Sequence, residues 1–427
     1  PQHLLVTGAT GTGKSQTLQG LLMPIRVRGD RALITDLGGE ALASFFTPGD
    51  VILNPLDARS VDWSPFAEMA TPADADRLAQ SLIPDPGEGR EREWFLYAQA
   101  LLAAVLRRLS EQGSATNAAL LAALTLAPPA ELDAIVRGLP AQALFHPGAE
   151  RMLASVRGIV GAHLAPLAYL PAQAGMKAWS IRRHLREGRG WLWLPYREDH
   201  AAALKPLLAA WIGEAVSAML ALTPDANRRH WLLLDETASL GRIQGLADAL
   251  TKGRKYGLCA VIGLQSVGQL RQTYGPYGAQ TLLSCLSSQL FLRATDPETA
   301  EYASLHLGDR EIERQVVTHT HERTHHTLTP KRSVERLVLP SELQSLPNRV
   351  GYLRWAGESI VRCVQIPPVK RATRVEPFVP CAPAAVTSVP PAAAAPPAPA
   401  APARPPLDAD AILGARAPAT PPQSMSG

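Results

Sequence analysis

Leu4-Leu5-Val6-Thr7-Gly8-Ala9-Thr10-Gly11-Thr12-Gly13-Lys14-Ser15 decides the fold of this chain. The first four residues form an apolar, β-prone run, and the next eight match G-x-x-x-x-G-K-[ST] at every fixed position. Gln16 to Leu22 continues with an apolar face, so a helix comes after the loop. In that setting Gly8, Ala9, Thr10, Gly11, Thr12 and Gly13 turn backbone N–H groups inward around phosphates at a helix N-terminus. Lys14 adds a point charge for the outer phosphates, and Ser15 offers its hydroxyl to a magnesium ion. The strand before and the helix after separate this loop from a ligand-free glycine turn, and the expected cofactors are ATP and Mg²⁺.

A phosphate loop alone does not specify hydrolysis. Trp231-Leu232-Leu233-Leu234-Asp235-Glu236 supplies the second element, a hydrophobic strand ending in two acids. Asp235 is placed to hold Mg²⁺ and Glu236 to polarise the attacking water, a pairing that points to an ATPase rather than to a helix cap. Gln265, directly after the strand Cys259 to Leu264, lies at the sheet edge where ligands of open α/β sheets bind, and is a candidate sensor of the γ-phosphate. Asp36 ends another strand, where a turn-capping role is favoured over a secondary catalytic one. Lys252-Gly253-Arg254-Lys255-Tyr256-Gly257 has two readings that the residues leave open. Cations at a helix C-terminus before a glycine are favoured by the helix dipole, and Arg254 is equally suited to be an arginine finger acting on a neighbouring subunit's nucleotide.

Around these motifs the chain alternates strand and helix, the rhythm of a mostly parallel sheet covered by helices. The pattern is interrupted between residues 63 and 187 by an all-helical stretch, with helices expected over 73–82, 91–112, 118–126, 129–137 and 149–167. The organisation is therefore a nucleotide-binding domain in two parts, 1–62 and 188–375, an inserted all-α domain over 63–187, and a disordered Pro/Ala-rich tail over 376–427. Residues 407–413 are a candidate docking peptide within that tail. Thr318 to Thr327, with four histidines but no helical H-x-x-x-H frame, reads as a solvated loop and not a metal site.

Composition narrows the class without choosing the function. The 427 residues are 46% hydrophobic with a net charge of +4, enough for buried cores and compatible with a nucleic-acid partner. Four cysteines, at 259, 285, 363 and 381, show no C-x-x-C spacing, which argues against a zinc site or a disulfide scaffold. The most apolar stretches are broken by charge or proline, so no membrane span is expected.

The chain resembles the type IV coupling proteins of bacterial conjugation, of the TraD/TrwB type. The likeness rests on residues 3–15, on Asp50-Val51-Ile52-Leu53-Asn54-Pro55, and above all on Leu246 to Lys255 followed by Gly263-Leu264-Gln265-Ser266. It covers roughly residues 1–370. It implies a RecA-like ATPase working as a homo-hexamer with nucleotide held between subunits, translocating single-stranded DNA. Relaxase and relaxosome proteins and the type IV secretion channel are the implied partners. By the same resemblance Lys14 and Ser15 serve ATP and Mg²⁺, Asp235 and Glu236 hydrolysis, Arg254 the neighbouring site, and Gln265 the coupling of nucleotide state to DNA. Thr237-Ala238 departs from the apolar residue and proline usual after the acids. The family's N-terminal membrane anchor is also missing, which reads as truncation. The full-length protein is then expected at the cytoplasmic face of the inner membrane, and this piece as a soluble fragment. A septal-type double-stranded DNA translocase, or a receptor using ATP only as a switch, are the rival readings.

Overall fold

The computed structural model describes residues 3–87, 89, 91–319, 326–368 and 371–381. The N-terminal part begins with the motif: β1 (Leu4–Thr7), α1 (Lys14–Val27), β2 (Arg31–Leu37), α2 (Glu40–Phe45) and β3 (Val51–Ile52). Helix α1 runs four residues past the expected end at Met23. Pro24 near its last turn removes a single backbone donor, while Leu18, Leu22 and Ile25 keep one buried stripe. Then come α3 (Asp74–Leu82), α4 (Arg92–Glu111), α5 (Asn117–Leu121), α6 (Pro129–Val136), α7 (Glu150–Leu164) and α8 (Ile181–Glu187), with no named strand among them. Strands resume with β4 (Leu192–Tyr196), α9 (Glu198–Leu220), β5 (His230–Leu234), α10 (Leu246–Lys252), β6 (Leu258–Leu264), α11 (Val267–Cys285) and β7 (Ser288–Phe291).

Strands β1 to β7 pair in parallel, and the sheet is completed by an antiparallel pair, β10 (Val350–Arg354) and β11 (Val361–Gln365), in the order β11-β10-β7-β1-β6-β5-β2-β4-β3. Helices cover both faces, which is why β6 is buried at all seven positions and reads as an unbroken apolar run rather than an alternating one. Register decides which loops come together. Thr7 lies beside Leu264 and Leu234 beside Ile262, so the loops after β1, β5 and β6 meet at one edge. Arg31 pairs with His230 and His230 with Leu258, so the loops before β2, β5 and β6 meet at the other.

One face of the sheet, α9 and the helices between β3 and β4 share a continuous apolar core, while α1 and α2 pack on the opposite face. The helical stretch is further tied down by two buried acids. Glu68 accepts from the backbone N–H groups of Ile181 at 2.6 Å and Arg182 at 3.0 Å, holding the start of α8. Glu214 on α9 meets Arg77 from α3 and Arg182 from α8, although burial pushes its carboxyl up to about 7. Removing either arginine would leave more uncompensated charge in the interior, the costly way to break such a pair. Helix α9 is the one described helix long and apolar enough to cross a membrane, and most of it is buried here as a core helix.

Several elements lie beyond the sequence pattern. Helix α11 starts at Val267, not near Ala279; Ser266 caps it by accepting from Gly268 N–H at 3.1 Å, and it kinks at Gly275 (φ 74°) before Pro276. After β7 come α12 (Pro297–Leu307), the strands β8 (Asp309–His319) and β9 (His326–Arg336), and α13 (Pro340–Gln344). Strands β8 and β9 form a separate antiparallel hairpin, so the expected solvated loop over 318–327 is corrected: Thr318, His319, His326 and Thr327 are strand residues, and 320–325 lie outside the described residues.

The expected start of the tail at 376 is likewise corrected. Residues 371–381 return across the sheet's far side as a strap: Arg374 N–H donates to Ala43 O at 2.8 Å, Ala58 N–H to Val379 O at 2.8 Å and Cys381 N–H to Leu56 O at 3.2 Å. Pro377 O sits 2.4 Å from where a Cβ on Gly39 would be, so that position accepts only glycine while the strap is in place. Residues 382–427, with the candidate peptide at 407–413, lie outside the described residues.

Candidate nucleotide site

The phosphate loop spans from β1 to α1 over the edge where the parallel strands end. Gly8 N–H donates to Leu264 O at 3.1 Å and Ala9 N–H to Arg293 O at 2.9 Å, which ties the loop to β6 and to the segment after β7. A Cβ on Gly8 would meet the Thr12 hydroxyl at 2.6 Å, and Gly13 holds φ at 115°, a left-handed conformation that glycine alone adopts cheaply. Thr12 Oγ1 donates to Ala9 O at 2.6 Å and closes the turn.

Four of the predicted residues converge here. Lys14 Nζ donates to Gly8 O at 2.9 Å and lies 3.2 Å from Glu236 Oε1. Ser15 Oγ donates to Asp235 Oδ2 at 2.9 Å. Asp235 is set by the end of β5 and by its N–H donating to Thr35 Oγ1 at 3.0 Å. Burial raises its pKa above the usual carboxylate range, a trend that the Ser15 hydrogen bond opposes. The cavity bounded by the loop, Asp235, Glu236, Asn348 and Arg349 measures about 470 Å³. Among the described residues no group of three or more His, Cys, Asp or Glu side chains could hold a metal ion. The Ser15 and Asp235 oxygens therefore fit a hard cation only as part of a shell that phosphate oxygens and water complete, the way Mg²⁺ is commonly bound.

Asp36 stands just behind this pair and caps α2, accepting from Leu42 N–H at 2.7 Å and Ala41 N–H at 3.3 Å. Its carboxyl is pushed up to about 7, chiefly by burial. Gln265 Nε2 donates to Thr10 Oγ1, so the glutamine touches the loop's shoulder and not Lys14. It also lines a larger cavity of about 840 Å³ that shares Thr10, Leu37 and Glu236 with the first and is walled by Lys205, Arg242, Gln269 and Gln272.

Arg254 is not brought to this site. It sits exposed in the short turn Gly253–Tyr256 that precedes β6, at the opposite edge of the sheet. The seven residues of β6 separate it from the phosphate loop by roughly 20 Å. Gly257, at φ 87°, donates to Arg254 O at 3.1 Å and ends the helix, so the capping reading has its geometry. A finger role remains geometrically open only toward another protomer.

One neighbour of the phosphate loop had no signal in the sequence. Arg349 and Glu236 are the two non-glycine residues at positive φ among those described, at 63° and 52°, and both border the same cavity. Arg349 N–H donates to Thr12 O at 2.8 Å and its carbonyl accepts from Ile366 N–H at 2.7 Å, which clamps the backbone in that strained conformation. Its Cγ lies 3.2 Å from the position a Cβ on Gly13 would take.

This arrangement is matched in known proteins. The family model described as the type IV secretion-system coupling protein DNA-binding domain matches residues 1–367. Coupling protein TraD of Escherichia coli (strain K12) is 29% identical over 367 residues, covering 83% of this chain and 51% of TraD. The chain thus spans about half the length of that relative. The unbound structure of the bacterial conjugative coupling protein TrwBdeltaN70 superposes with a TM-score of 0.82 at 37% identity, covering 88% of each chain. Plasmid coupling protein TrwB in complex with ADP and Mg²⁺ gives a TM-score of 0.81 at 37% identity, covering 89% of this chain and 88% of that one. RecA-like core, phosphate loop and acid pair occur together with a family match over most of the chain: it belongs to the type IV secretion-system coupling protein DNA-binding domain family.

Proposed function

We propose that this chain is the motor of a conjugative coupling protein, hydrolysing ATP to move single-stranded DNA, delivered by a relaxase, into a type IV secretion channel. The observation that carries this reading is the pairing of Lys14 with Glu236 and of Ser15 with Asp235 at the mouth of the phosphate loop. TrwB has been solved with ADP and Mg²⁺ and with a non-hydrolysable ATP analogue, which supports the same ligands here. Mg²⁺, held by Ser15 and Asp235, would neutralise charge on the outer phosphates.

The protein groups divide the remaining work. The loop's N–H groups and Lys14 bind and orient the phosphates. Once ATP draws the ammonium of Lys14, the Glu236 carboxylate is released to accept a hydrogen bond from water in line with the terminal phosphate. Gln265, on the loop's shoulder, carries the state of that phosphate to α11. Arg349, beside Gly13 in the same cavity, adds a second cation and in this reading meets the phosphates that are not transferred. Arg254 completes the site of the next protomer in a homo-hexamer. In this reading 1–62 and 188–375 form the nucleotide domain, 63–187 form an all-α domain, and the full-length protein sits at the cytoplasmic face of the inner membrane.

The test is ATP turnover as a function of DNA length and salt, at protein concentrations where rings are demonstrated. Single-stranded DNA is expected to raise the rate, with the effect fading as salt rises. A rate indifferent to DNA in demonstrated rings would leave a receptor with a nucleotide switch, and stimulation confined to duplex DNA would favour a septal-type pump.

A further inference from the structure

At the edge of the sheet opposite Lys14, a cavity of about 420 Å³ opens between the starts of β2 and β5 and the end of α8. Arg28, Arg31, Arg186, Arg228 and Arg229 line it, with Asp30 as the only carboxylate among the described residues of its wall. That carboxylate is already engaged, because Asp30 Oδ2 accepts from Arg28 Nε at 2.9 Å and from Trp231 Nε1 at 2.9 Å. Most of the other guanidinium contacts are to neutral carbonyls. Arg31 donates to Leu185 O, Arg228 to Thr223 O at 2.7 Å, and Arg229 to Ala226 O and Arg228 O at 2.6 Å each. The acids near the rest lie at the periphery: Asp225 is 3.8 Å from Arg228, and the exposed Glu187 pairs with the exposed Arg186 at 2.8 Å.

Such a cluster is only partly compensated by the protein itself: Asp30, Glu187 and, more distantly, Asp225 pair with Arg28, Arg186 and Arg228, while Arg31 and Arg229 rest on carbonyls alone. Like charges packed within a Debye length repel, and an anion between them removes that cost. Two neighbours register the field. His230, 3% exposed, is held neutral with its pKa lowered to about 4, first by burial and then by Arg31 and Arg228. Its Nδ1 is buried without a hydrogen-bond partner. Arg31 has its own pKa lowered by burial and by the nearby charges of Arg228 and Arg189.

We propose that this cavity is a phosphate-binding site, and that its occupant is the sugar–phosphate backbone of the DNA strand. The assignment rests on the motor reading above and adds to it a contact at the sheet edge opposite this chain's own phosphate loop. The wall favours a strand over a nucleotide. Among its described residues it has no glycine-rich loop, no free carboxylate to hold a metal ion, and only Leu185 and Leu222 as apolar surface for a base. Guanidiniums from three separate chain segments suit successive phosphates, contacted without regard to sequence.

The experiment is fluorescence anisotropy of a labelled oligothymidylate against salt. It compares the parent chain with Arg228→Ala/Arg229→Ala, with Arg228→Lys/Arg229→Lys, and with Arg186→Glu, whose exposed position spares the fold. Loss of two phosphate contacts is expected to weaken binding about tenfold or more and to lower the slope of log K against log salt by about 1.4. The lysine pair should keep the slope, and Arg186→Glu should weaken binding in the same direction. Sodium pyrophosphate, measured in parallel by calorimetry, separates the sources. Loss of pyrophosphate binding in the alanine pair with DNA affinity intact would assign the cavity to free phosphates and overturn the DNA assignment. Unchanged affinity and slope in both the alanine pair and Arg186→Glu would overturn the site itself. A parent chain that binds no DNA at all would overturn the motor reading, and this inference with it.

Discussion

The two edges of one sheet handle charge in opposite ways. Where the parallel strands end, the lysine and the two acids at the loop's mouth have partners at hydrogen-bond distance: Lys14 has Glu236 and Gly8 O, and Asp235 has Ser15. Where they begin, five arginines line one cavity with a single carboxylate in its wall and two more at its rim, and Arg31 and Arg229 lean on backbone carbonyls alone. The first edge satisfies itself before a ligand arrives, so binding there exchanges one set of partners for another. The second is short of negative charge until something supplies it. In the proposed reading a motor built this way would keep its chemical step in a preorganised pocket and leave its other edge to ligands held by net charge, whose grip salt weakens.

The largest expected effects break the first edge. Lys14→Ala should weaken ATP binding by about a hundredfold or more, close to 3 kcal/mol, in calorimetric titration. Glu236→Gln should leave ATP bound while lowering turnover by about 10²–10⁴-fold. Normal turnover in Glu236→Gln would remove the carboxylate from the reaction and dissolve the division of labour between the two residues.

A smaller effect sharpens the same edge. Arg349→Ala should weaken ATP and ADP alike by roughly tenfold, with the rate at saturation within about twofold, the outcome expected if its guanidinium meets phosphates that are not transferred. Arg349→Gly should show the same affinity but recover about 1 kcal/mol of stability, since glycine removes the left-handed strain. If both variants bind nucleotide as the parent does, the guanidinium is a bystander and only the backbone clamp matters.

The smallest effect concerns Asp36, behind the acid pair. Its folded pKa, about 7, lies above the ordinary value, so its contribution to stability is full at low pH and is lost as pH rises through 7. Between pH 6 and pH 8 the parent's melting temperature should fall by about 1–2 °C more than that of Asp36→Asn. Parallel pH curves for the two proteins would mean that the carboxyl stays ionised across the range.

The contrast between the edges also explains what could be read from the chain. Loop, acid pair and parallel core were legible because each is a local pattern: an apolar run, then glycines or acids at fixed spacing. The arginine cavity was not, because residues 28–31, 186 and 227–230 meet only through the register of β2 with β5. Arg349 was silent for a related reason, its partner Thr12 lying over three hundred residues earlier in the chain. Strands β8 and β9 escaped because cross-strand charge pairs, such as Arg314 with Glu335 at 3.0 Å and Arg332 with Glu313 at 3.2 Å, replace an alternating apolar face. The strap over 371–381 carries no periodicity at all, and proline and alanine nearby made it look like tail.

That strap gives the molecule a mechanical entry point. Its bonds to Ala43, Leu56 and Ala58 are spread along the chain, so a pull on residue 381 would be shared among separate parts of the sheet's surroundings. From that end the turn after β3 comes first, through Leu56 and Ala58, and α2 next, through Ala43. Helix α2 hangs from the Asp36 carboxylate, one residue past the Thr35 whose hydroxyl positions Asp235. Tension applied at residue 381 would therefore reach Asp36 and Thr35, behind the nucleotide pocket, through only a few covalent and hydrogen-bonded links.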